Sequence, residues 1–209
     1  MRAELSRVLL ATRSAGKLRE LNPIFSQAGI EAVTLEDVGI PEDEAEAGIE
    51  CFETFEENAL AKARYFHALT GLPVVADDSG LCVTSLGDAP GVWSKRYSRE
   101  PGLDGVALDR ANNEKLLREL AAFSDKTAKY RCAAAYVDKD RELVKMGETA
   151  GEIVVEPRGE AGFGYDPYFY STELAGTFGE ASVSDKQQVS HRGRAFGRLI
   201  HAVLAGGGA

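Results

Sequence analysis

The chain has 209 residues, a size that fits one domain able to bury most of the surface its unfolded form exposes. Its formal net charge of -9 argues against nucleic acids and anionic membranes as general partners, because both favour a basic surface. The three cysteines are widely spaced and show no CxxC pattern, so they indicate neither a disulfide framework nor a structural zinc site.

The apolar segments and the cysteine usage favour a cytoplasmic protein. The first apolar run, Val8 to Ala11, is too short for the core of a signal peptide, and no stretch approaches the length of a membrane span. Scattered cysteines are typical of a reducing compartment. The glycines at 206–208 predict a frayed tail.

Strand, loop and helix patterns follow one another at the start of the chain. The run from Val8 to Ala11 predicts a buried strand, and apolar residues at helical spacing then predict a helix. Ser14 is suited to cap this helix and Gly29 to end it. The free N–H groups at such a helix start, together with Lys17, suit a phosphate group. A simple capping loop with a solvated lysine is the alternative, because the spacing is not that of a Walker A motif.

An acidic segment separates this helix from the next. Residues 31–50 are rich in Asp and Glu and predict a mobile, solvated connection. Thr54 and Glu57 then fit a capping box, so a helix is expected from there to Gly71. Lys62 lies on the polar stripe of this helix, where a lysine is more often solvated than bound to a ligand.

The segment from Leu72 to Leu81 is the strongest candidate for the reaction centre. Val74 to Ala76 is an apolar run without polar alternation, which predicts a buried strand leading directly into Asp77 and Asp78. In open α/β sheets, ligands bind beyond the carboxyl ends of strands. The two carboxylates would share a pocket only if the extended backbone breaks between them, and Gly80 favours such a break. An ordinary turn of this composition is the alternative.

The second half of the chain predicts further strands and helices. A helix is expected at 104–123, and strands are expected at 129–137, 143–149 and 152–155. The glycine-rich turn at 162–167 carries aromatic residues and would allow close approach to a ligand, although a hairpin or bulge is the alternative. Ser190 predicts the last helix, with His191 and Arg192 in its first turn. The helix dipole disfavours cations there, which suggests that an anion or a polar ligand offsets them. The alternation of strands and helices favours the α/β class.

Six sequence motifs are spread over nearly the whole chain. They are ATRSAGKLREL (11–21), TFEENALAKAR (54–64), ADDSGLCV (76–83), PGVWSKRY (90–97), GFGYDP (162–167), and Lys186 followed by Ser190-His191-Arg192. In this order they resemble the inosine triphosphate pyrophosphatase family, the non-canonical purine nucleoside triphosphate pyrophosphatases. The resemblance implies one pyrophosphatase domain over residues 1–209, an α/β fold with an elongated central mixed β-sheet flanked by helices, and two lobes around a long active-site cleft.

The resemblance also implies a reaction and its site. The expected reaction is hydrolysis of ITP, dITP and XTP between the α and β phosphates, with Mg²⁺ as cofactor, a homodimer as the assembly, and neither nucleic acid nor membrane as partner. Asp78 would activate the attacking water, and Glu50 and Asp78 would bind the metal. The substrate-binding residues implied by the motifs are Thr12, Arg13, Ser14, Ala15, Gly16, Lys17, Lys62, Ser79, Phe163, Gly164, Tyr165, Asp166, Lys186, His191 and Arg192.

One position departs from the family pattern. Ser14 stands where the family usually carries asparagine, which leaves the phosphate contact there open. A nucleotide-binding or sensing protein that has lost hydrolysis is therefore a second hypothesis, and a hydrolase of modified pyrimidine triphosphates is a third. Asp78, Lys17 and Lys62 favour the enzyme. Asp77 would orient a neighbour or cap the turn.

Overall fold

The structure, a computed structural model, describes residues 5–206. Its strands are β1 (Arg7–Leu10), β2 (Glu31–Thr34), β3 (Val74–Val83), β4 (Thr127–Val137), β5 (Glu142–Ile153), β6 (Phe169–Ser171) and β7 (Gly176–Thr177). Its α-helices are α1 (Ala15–Gln27), α2 (Phe55–Thr70), α3 (Gly105–Leu120), α4 (Val183–Val189) and α5 (His191–Leu204). Short 3-10 helices cover Glu44–Gly48, Thr84–Leu86, Gly91–Arg96 and Asp166–Tyr168. Residues 207 and 208 of the predicted tail lie outside the described residues.

Within the described residues, seven strands form one mixed sheet in the order β2-β1-β3-β4-β5-β6-β7. Strand β1 pairs in parallel with β2 and β3, whereas β6 pairs antiparallel with β5 and β7. The mixed sheet with its accompanying helices confirms the predicted α/β class, and the predicted cleft stays a prediction. None of the helices between residues 5 and 206 combines the length and the apolar character that crossing a bilayer requires.

The chain divides into two compact units, each with its own apolar core. The first unit holds the described residues within Met1–Asp78, Cys132–Gly147 and Arg192–Ala209, and the second holds Ser79–Arg131 and Glu148–His191. The core of the first unit is built largely on β1, α1 and α5, and includes Leu10, Leu21, Phe25, Phe196 and Leu199. The core of the second unit includes Leu81, Leu116, Tyr130, Phe169 and Phe178.

The predicted helix ends are confirmed at three positions. The Ser14 side chain accepts from the Lys17 N–H over 3.3 Å and caps α1. The Thr54 hydroxyl accepts from the Glu57 N–H over 3.2 Å and caps α2. Gly71 ends α2 with φ of 69°, a left-handed conformation that glycine adopts without steric cost.

Two sequence expectations about secondary structure are wrong, and one helix is not predicted by the sequence. Residues 31–34 form β2 and do not belong to a loop; only Val33 is buried there, so no alternating pattern marks the strand. The two strands expected at 143–149 and 152–155 are one strand, β5. Helix α4 was not predicted, because its seven residues are too few to show a clear helical period.

The apolar stripes of three helices extend less far than the sequence predicts. The helical spacing of apolar residues predicts that Leu69, Phe123 and Leu204 are buried, but they are 54%, 42% and 51% exposed. Leu69 and Leu204 lie in the last turn of their helices and Phe123 lies beyond the end of α3. In each case the apolar pattern continues beyond the last buried residue of the helix, which is Phe66, Leu120 or Val203.

Candidate functional site

Strand β3 carries both candidate aspartates without a break. It runs from Val74 to Val83, so the predicted interruption between Asp77 and Asp78 is wrong. Successive side chains on a strand point to opposite faces, and the two carboxylates therefore have different surroundings. Both are nonetheless buried, with 1% exposure for Asp77 and 8% for Asp78. Two buried carboxylates in one strand need polar partners from other elements.

Asp77 is held by cations from α1 and α5. Its Oδ2 atom lies 3.1 Å from the Lys17 Nζ and accepts from the Arg192 Nε over 3.2 Å. Arg192, which is 2% exposed, also forms an ion pair with Glu20. Burial alone would raise the pKa of Asp77, but the charges of Lys17 and Arg192 outweigh it and hold that pKa well below its ordinary value. Asp77 is therefore a permanent anion at the centre of a buried ion network.

Asp78 has a different environment. The Asn58 Nδ2 donates to its Oδ2 over 2.9 Å. Burial raises the pKa of Asp78 to about 6; the charge of Lys17 opposes this rise and the negative charge of Glu50 adds to it. A carboxyl group that titrates this close to neutrality is suited to general-base work, because it can both take up and release a proton at physiological pH.

Lys62 links Asp77 on β3 to the acidic segment that precedes α2. Its Nζ forms an ion pair with Glu50 and donates to the Asp77 carbonyl oxygen over 2.7 Å. Burial would lower the pKa of Lys62, but the charges of Glu50 and Asp77 raise it above its ordinary value. Burial would likewise raise the pKa of Glu50, and the charges of Lys62 and Lys17 lower it. Both groups thus stay ionised, and the lysine is not merely solvated.

These contacts define one group of side chains in the first unit, the acid–lysine cluster, composed of Lys17, Glu50, Lys62, Asp77 and Asp78. Among residues 5–206, no set of three or more His, Cys, Asp or Glu side chains is arranged to hold a metal ion. Mg²⁺ commonly takes only one or two protein carboxylates and completes its shell with phosphates and water. Glu50 and Asp78, which are close enough for one charge to shift the pKa of the other, fit that mode.

The loop before α1 and the first turn of that helix place Lys17 in this cluster. The Thr12 hydroxyl accepts from the Ser14 N–H over 3.2 Å, and Ser14 then caps the helix. Ala15 and Gly16 lie in the first turn of α1, where backbone N–H groups have no intrahelical acceptor and suit an anion. The serine at position 14 therefore preserves the helix cap. Arg13 lies elsewhere, against the acidic segment.

A second group of predicted residues lies in the second unit. The Lys186 Nζ lies 2.6 Å from the Asp166 Oδ2, and both residues are buried. The same ammonium group lies 5.3 Å from the ring centre of Phe163 and 5.1 Å from that of Phe178. The Phe163 N–H donates to Asp166 over 2.8 Å and so ties the glycine-rich turn to this ion pair. Ser79, on β3, is half-buried.

His191 belongs to the same surroundings. Its ring stacks on that of Tyr130 with a centroid distance of 4.5 Å and an interplanar angle of 8°. The Tyr130 hydroxyl donates to the Asp166 Oδ1 over 3.4 Å. Sequence reasoning did not single out Tyr130 or Phe178; the alternation along β4 marked Tyr130 only as one face of a strand. We call the group of Tyr130, Phe163, Asp166, Phe178, Lys186 and His191 the aromatic–lysine cluster.

Two side chains of helix α3 bind the backbone of the glycine-rich turn at one residue, Gly164. The Asp109 Oδ2 accepts from the Gly164 N–H over 2.8 Å, and the Asn113 Nδ2 donates to the Gly164 carbonyl over 2.9 Å. The neighbouring Tyr165 is buried and donates its hydroxyl to the Ser94 carbonyl over 2.8 Å. Asp109 and Asn113 were also missed. Two polar residues four apart on one face of a helix are the pattern that marks them.

An α/β sheet with buried carboxylates among lysines and a helix N-terminus nearby is typical of proteins that bind and process phosphate groups. Residues 8–202 match the sequence profile of the Ham1 family, and the chain belongs to that family. The dITP/XTP pyrophosphatase of Bordetella pertussis is 46% identical over 206 residues, which is 97% of this chain and 93% of that protein.

Two further comparisons agree. The dITP/XTP pyrophosphatase of Ralstonia nicotianae is 43% identical over 199 residues, covering 94% of this chain and 96% of that protein. The solved structure of a HAM1 protein from Coxiella burnetii superposes with a TM-score of 0.80 at 35% identity, covering 95% of this chain and 98% of that one. The resemblance inferred from the six motifs is confirmed.

Proposed function

We propose that the protein is an enzyme that hydrolyses non-canonical purine nucleoside triphosphates such as dITP, XTP and ITP to the nucleoside monophosphate and pyrophosphate. The names of the relatives support the substrate class. The observation that carries the reaction is the placement of Asp78, which is buried on β3, accepts from the Asn58 Nδ2 over 2.9 Å and interacts with the charges of Lys17 and Lys62. Burial raises its pKa to about 6.

The acid–lysine cluster would bind the triphosphate. Lys17, Lys62 and the first turn of α1 supply positive charge, and in phosphoryl transfer such electrostatic positioning carries most of the catalysis. Mg²⁺, held by Glu50 and Asp78, would add charge on the phosphate oxygens and make a nearby water more acidic. The Lys62 ion pair with Glu50 supports this assignment, because it fixes that carboxylate in place before a ligand binds.

Asp78 would act as the general base. The hydrogen bond from Asn58 fixes the orientation of its carboxylate. It accepts a proton from the attacking water, whose oxygen forms a bond to the α phosphorus. The bond from that phosphorus to the bridging oxygen breaks, and pyrophosphate leaves with the bonding electrons. Asp77 would have a different role, holding Lys17 in place.

The aromatic–lysine cluster would recognise the base. Hypoxanthine presents an acceptor at position 6 and a donor at N1, whereas adenine presents the reverse. Donors on Lys186 and His191 would match the 6-oxo group and would face a donor if adenine entered. Sites built on such hydrogen bonds reject the wrong partner by up to ~10⁴-fold. The burial of Arg192 against Asp77 and Glu20 supports a role in ordering Asp77 more than in contacting the base.

The test is a substrate panel with product identification. The protein is incubated with Mg²⁺ and ITP, dITP, XTP, ATP, GTP or a modified pyrimidine triphosphate, and the products are separated. We expect monophosphate and pyrophosphate from the first three and slow turnover of the rest. Release of orthophosphate would overturn the cleavage site, and equal turnover of ATP would overturn the base preference. Binding of ITP without turnover would favour a sensing protein.

We also propose that the protein is a homodimer in the cytoplasm. Sedimentation of the purified protein tests the dimer.

A further inference from the structure

The guanidinium group of Arg13 binds to the acidic segment, within the stretch of residues 36–54. Its Nε and Nη2 donate to the two carboxylate oxygens of Glu46 over 2.9 and 2.6 Å. Its Nη1 donates to the Ile40 carbonyl over 3.1 Å, and its Nη2 also donates to the Pro41 carbonyl over 2.7 Å. A two-pronged pairing of this kind is among the stronger and more directional hydrogen-bonded contacts in proteins.

The segment that Arg13 holds has little else to fix it. Leu35 and Phe55 are buried, but none of the residues 36–54 is. Hydrophobic packing therefore does not determine the path of this stretch, and polar contacts must do so. At its far end Glu50 pairs with Lys62 and Phe52 bonds to Asn58. At its near end the Thr34 N–H and hydroxyl donate to Asp37 over 2.9 and 2.8 Å. Between these two ends, the Arg13 contacts take that role.

Glu46 connects the Arg13 contacts to the chain that leads to Glu50. Its Oε1, which pairs with Arg13, also accepts from the Asp43 N–H over 3.3 Å and completes a capping box on the short helix Glu44–Gly48. That helix ends at Gly48, and its C-cap is Ile49, the residue directly before Glu50. Arg13 is therefore connected, through Glu46, to the short helix whose end leads directly into Glu50.

We propose that Arg13 is a positioning residue for the metal-binding carboxylate of Glu50 and acts through Glu46, and that it does not contact the substrate phosphates. The chain around the start of α1 would then position two members of the acid–lysine cluster, because it carries Lys17 and, through Arg13, places Glu50. The inference rests on the proposed function for what Glu50 binds, but the tether itself does not depend on it. Loss of an outer partner of a metal ligand typically lowers metal affinity by about 10- to 100-fold.

The experiment compares Arg13→Ala, Glu46→Ala and the double variant with Arg64→Ala. Arg64 is the matched control, because it forms the same two-pronged pair with Glu142 at 2.8 and 2.6 Å on exposed surface of the first unit. The first readout is amide hydrogen exchange of the metal-free proteins. We expect faster exchange over residues 40–50 in Arg13→Ala and in Glu46→Ala, and wild-type exchange there in Arg64→Ala.

The second readout is the Mg²⁺ concentration that half-saturates hydrolysis of dITP. Arg13→Ala and Glu46→Ala should each raise it by about 10-fold, and the double variant should raise it no further than either alone. A higher KM for dITP in Arg13→Ala, with unchanged exchange and a wild-type Glu46→Ala, would overturn the inference in favour of direct phosphate contact. If the wild type hydrolyses none of the triphosphates, the proposed function fails, and unchanged exchange in Arg13→Ala would still refute the tether separately.

Discussion

Asn58 donates its side-chain N–H to Asp78 over 2.9 Å and so connects α2 to the acid on β3. The same side chain accepts from the Phe52 N–H over 2.9 Å and donates to the Phe52 carbonyl over 3.2 Å. It is only 2% exposed. One buried amide therefore orients Asp78 and fixes the chain just after Glu50, although neither contact is visible in the local sequence pattern.

Replacing Asn58 by alanine should harm both activity and stability. The loss leaves the Asp78 carboxylate without its fixed donor, and misplacing a catalytic group by an ångström costs up to about 10²-fold in rate. Unfolding should become easier by about 1–3 kcal/mol, because buried polar groups lose their partner. Steady-state kinetics and urea unfolding measure the two effects. A variant with wild-type kcat would show that Asn58 does not orient the base.

Asp78→Asn should stabilise the metal-free protein at alkaline pH. An unfolded aspartate releases its proton near pH 3.8, whereas burial keeps Asp78 protonated up to about pH 6. The folded state therefore loses stability as the pH rises through this window, and the full penalty is present above it. A shift of about 2 units corresponds to about 3 kcal/mol, which asparagine does not incur.

This prediction is checked by unfolding both proteins in a chelating buffer at pH 8 and at pH 4. The stability advantage of Asp78→Asn should be large at pH 8 and should shrink at pH 4. An advantage that is equal at the two pH values would show that the ionisation of Asp78 is not its source.

Arg192→Ala should cost far more stability than Arg64→Ala. Arg192 is buried between Asp77 and Glu20, so its removal leaves the buried Asp77 carboxylate with Lys17 as its remaining ion-pair partner and Glu20 without this pair, at a cost of about 3–5 kcal/mol. The exposed pair of Arg64 and Glu142 should contribute no more than about 1 kcal/mol. Chemical denaturation of both variants gives the comparison. Equal stabilities would indicate that the Asp77 network is not what holds α5 to β3.

Asn113→Ala should weaken recognition of the base. The substitution removes the donor to the Gly164 carbonyl, and a hydrogen bond of net worth 0.5–1.5 kcal/mol corresponds to roughly a 2- to 10-fold change. The KM for dITP should rise by about that factor, with a smaller change in kcat. Arg110→Ala is the control, since this residue lies on the same helix in an exposed pair with Glu114. A fall in kcat alone would contradict the assignment.

The sequence predicted those features that depend on neighbours in the chain. The caps at Ser14 and Thr54 and the stop at Gly71 are set within a few residues, and all three were found where expected. The motif resemblance named most members of both clusters. A family's motifs mark residues that come together in its fold, and a local sequence pattern does not contain that information.

Contacts between distant residues could not be derived in this way. Lys17 and Asp77 are 60 residues apart, and Arg192 and Asp77 are 115 apart. Nothing in the spacing of charges shows that a residue in the first turn of the last helix is buried against β3. The unbroken course of β3 through Asp77 was missed for the same reason, because only the partners on neighbouring elements make two adjacent buried acids tolerable.

The most direct test of the account is the turnover of Asp78→Asn on the preferred triphosphate at saturating Mg²⁺, with folding verified by circular dichroism. We predict a fall in kcat of about 10²- to 10⁴-fold, the contribution of a positioned general base. Turnover within a few-fold of the wild type would contradict the assignment of Asp78 as the group that activates water.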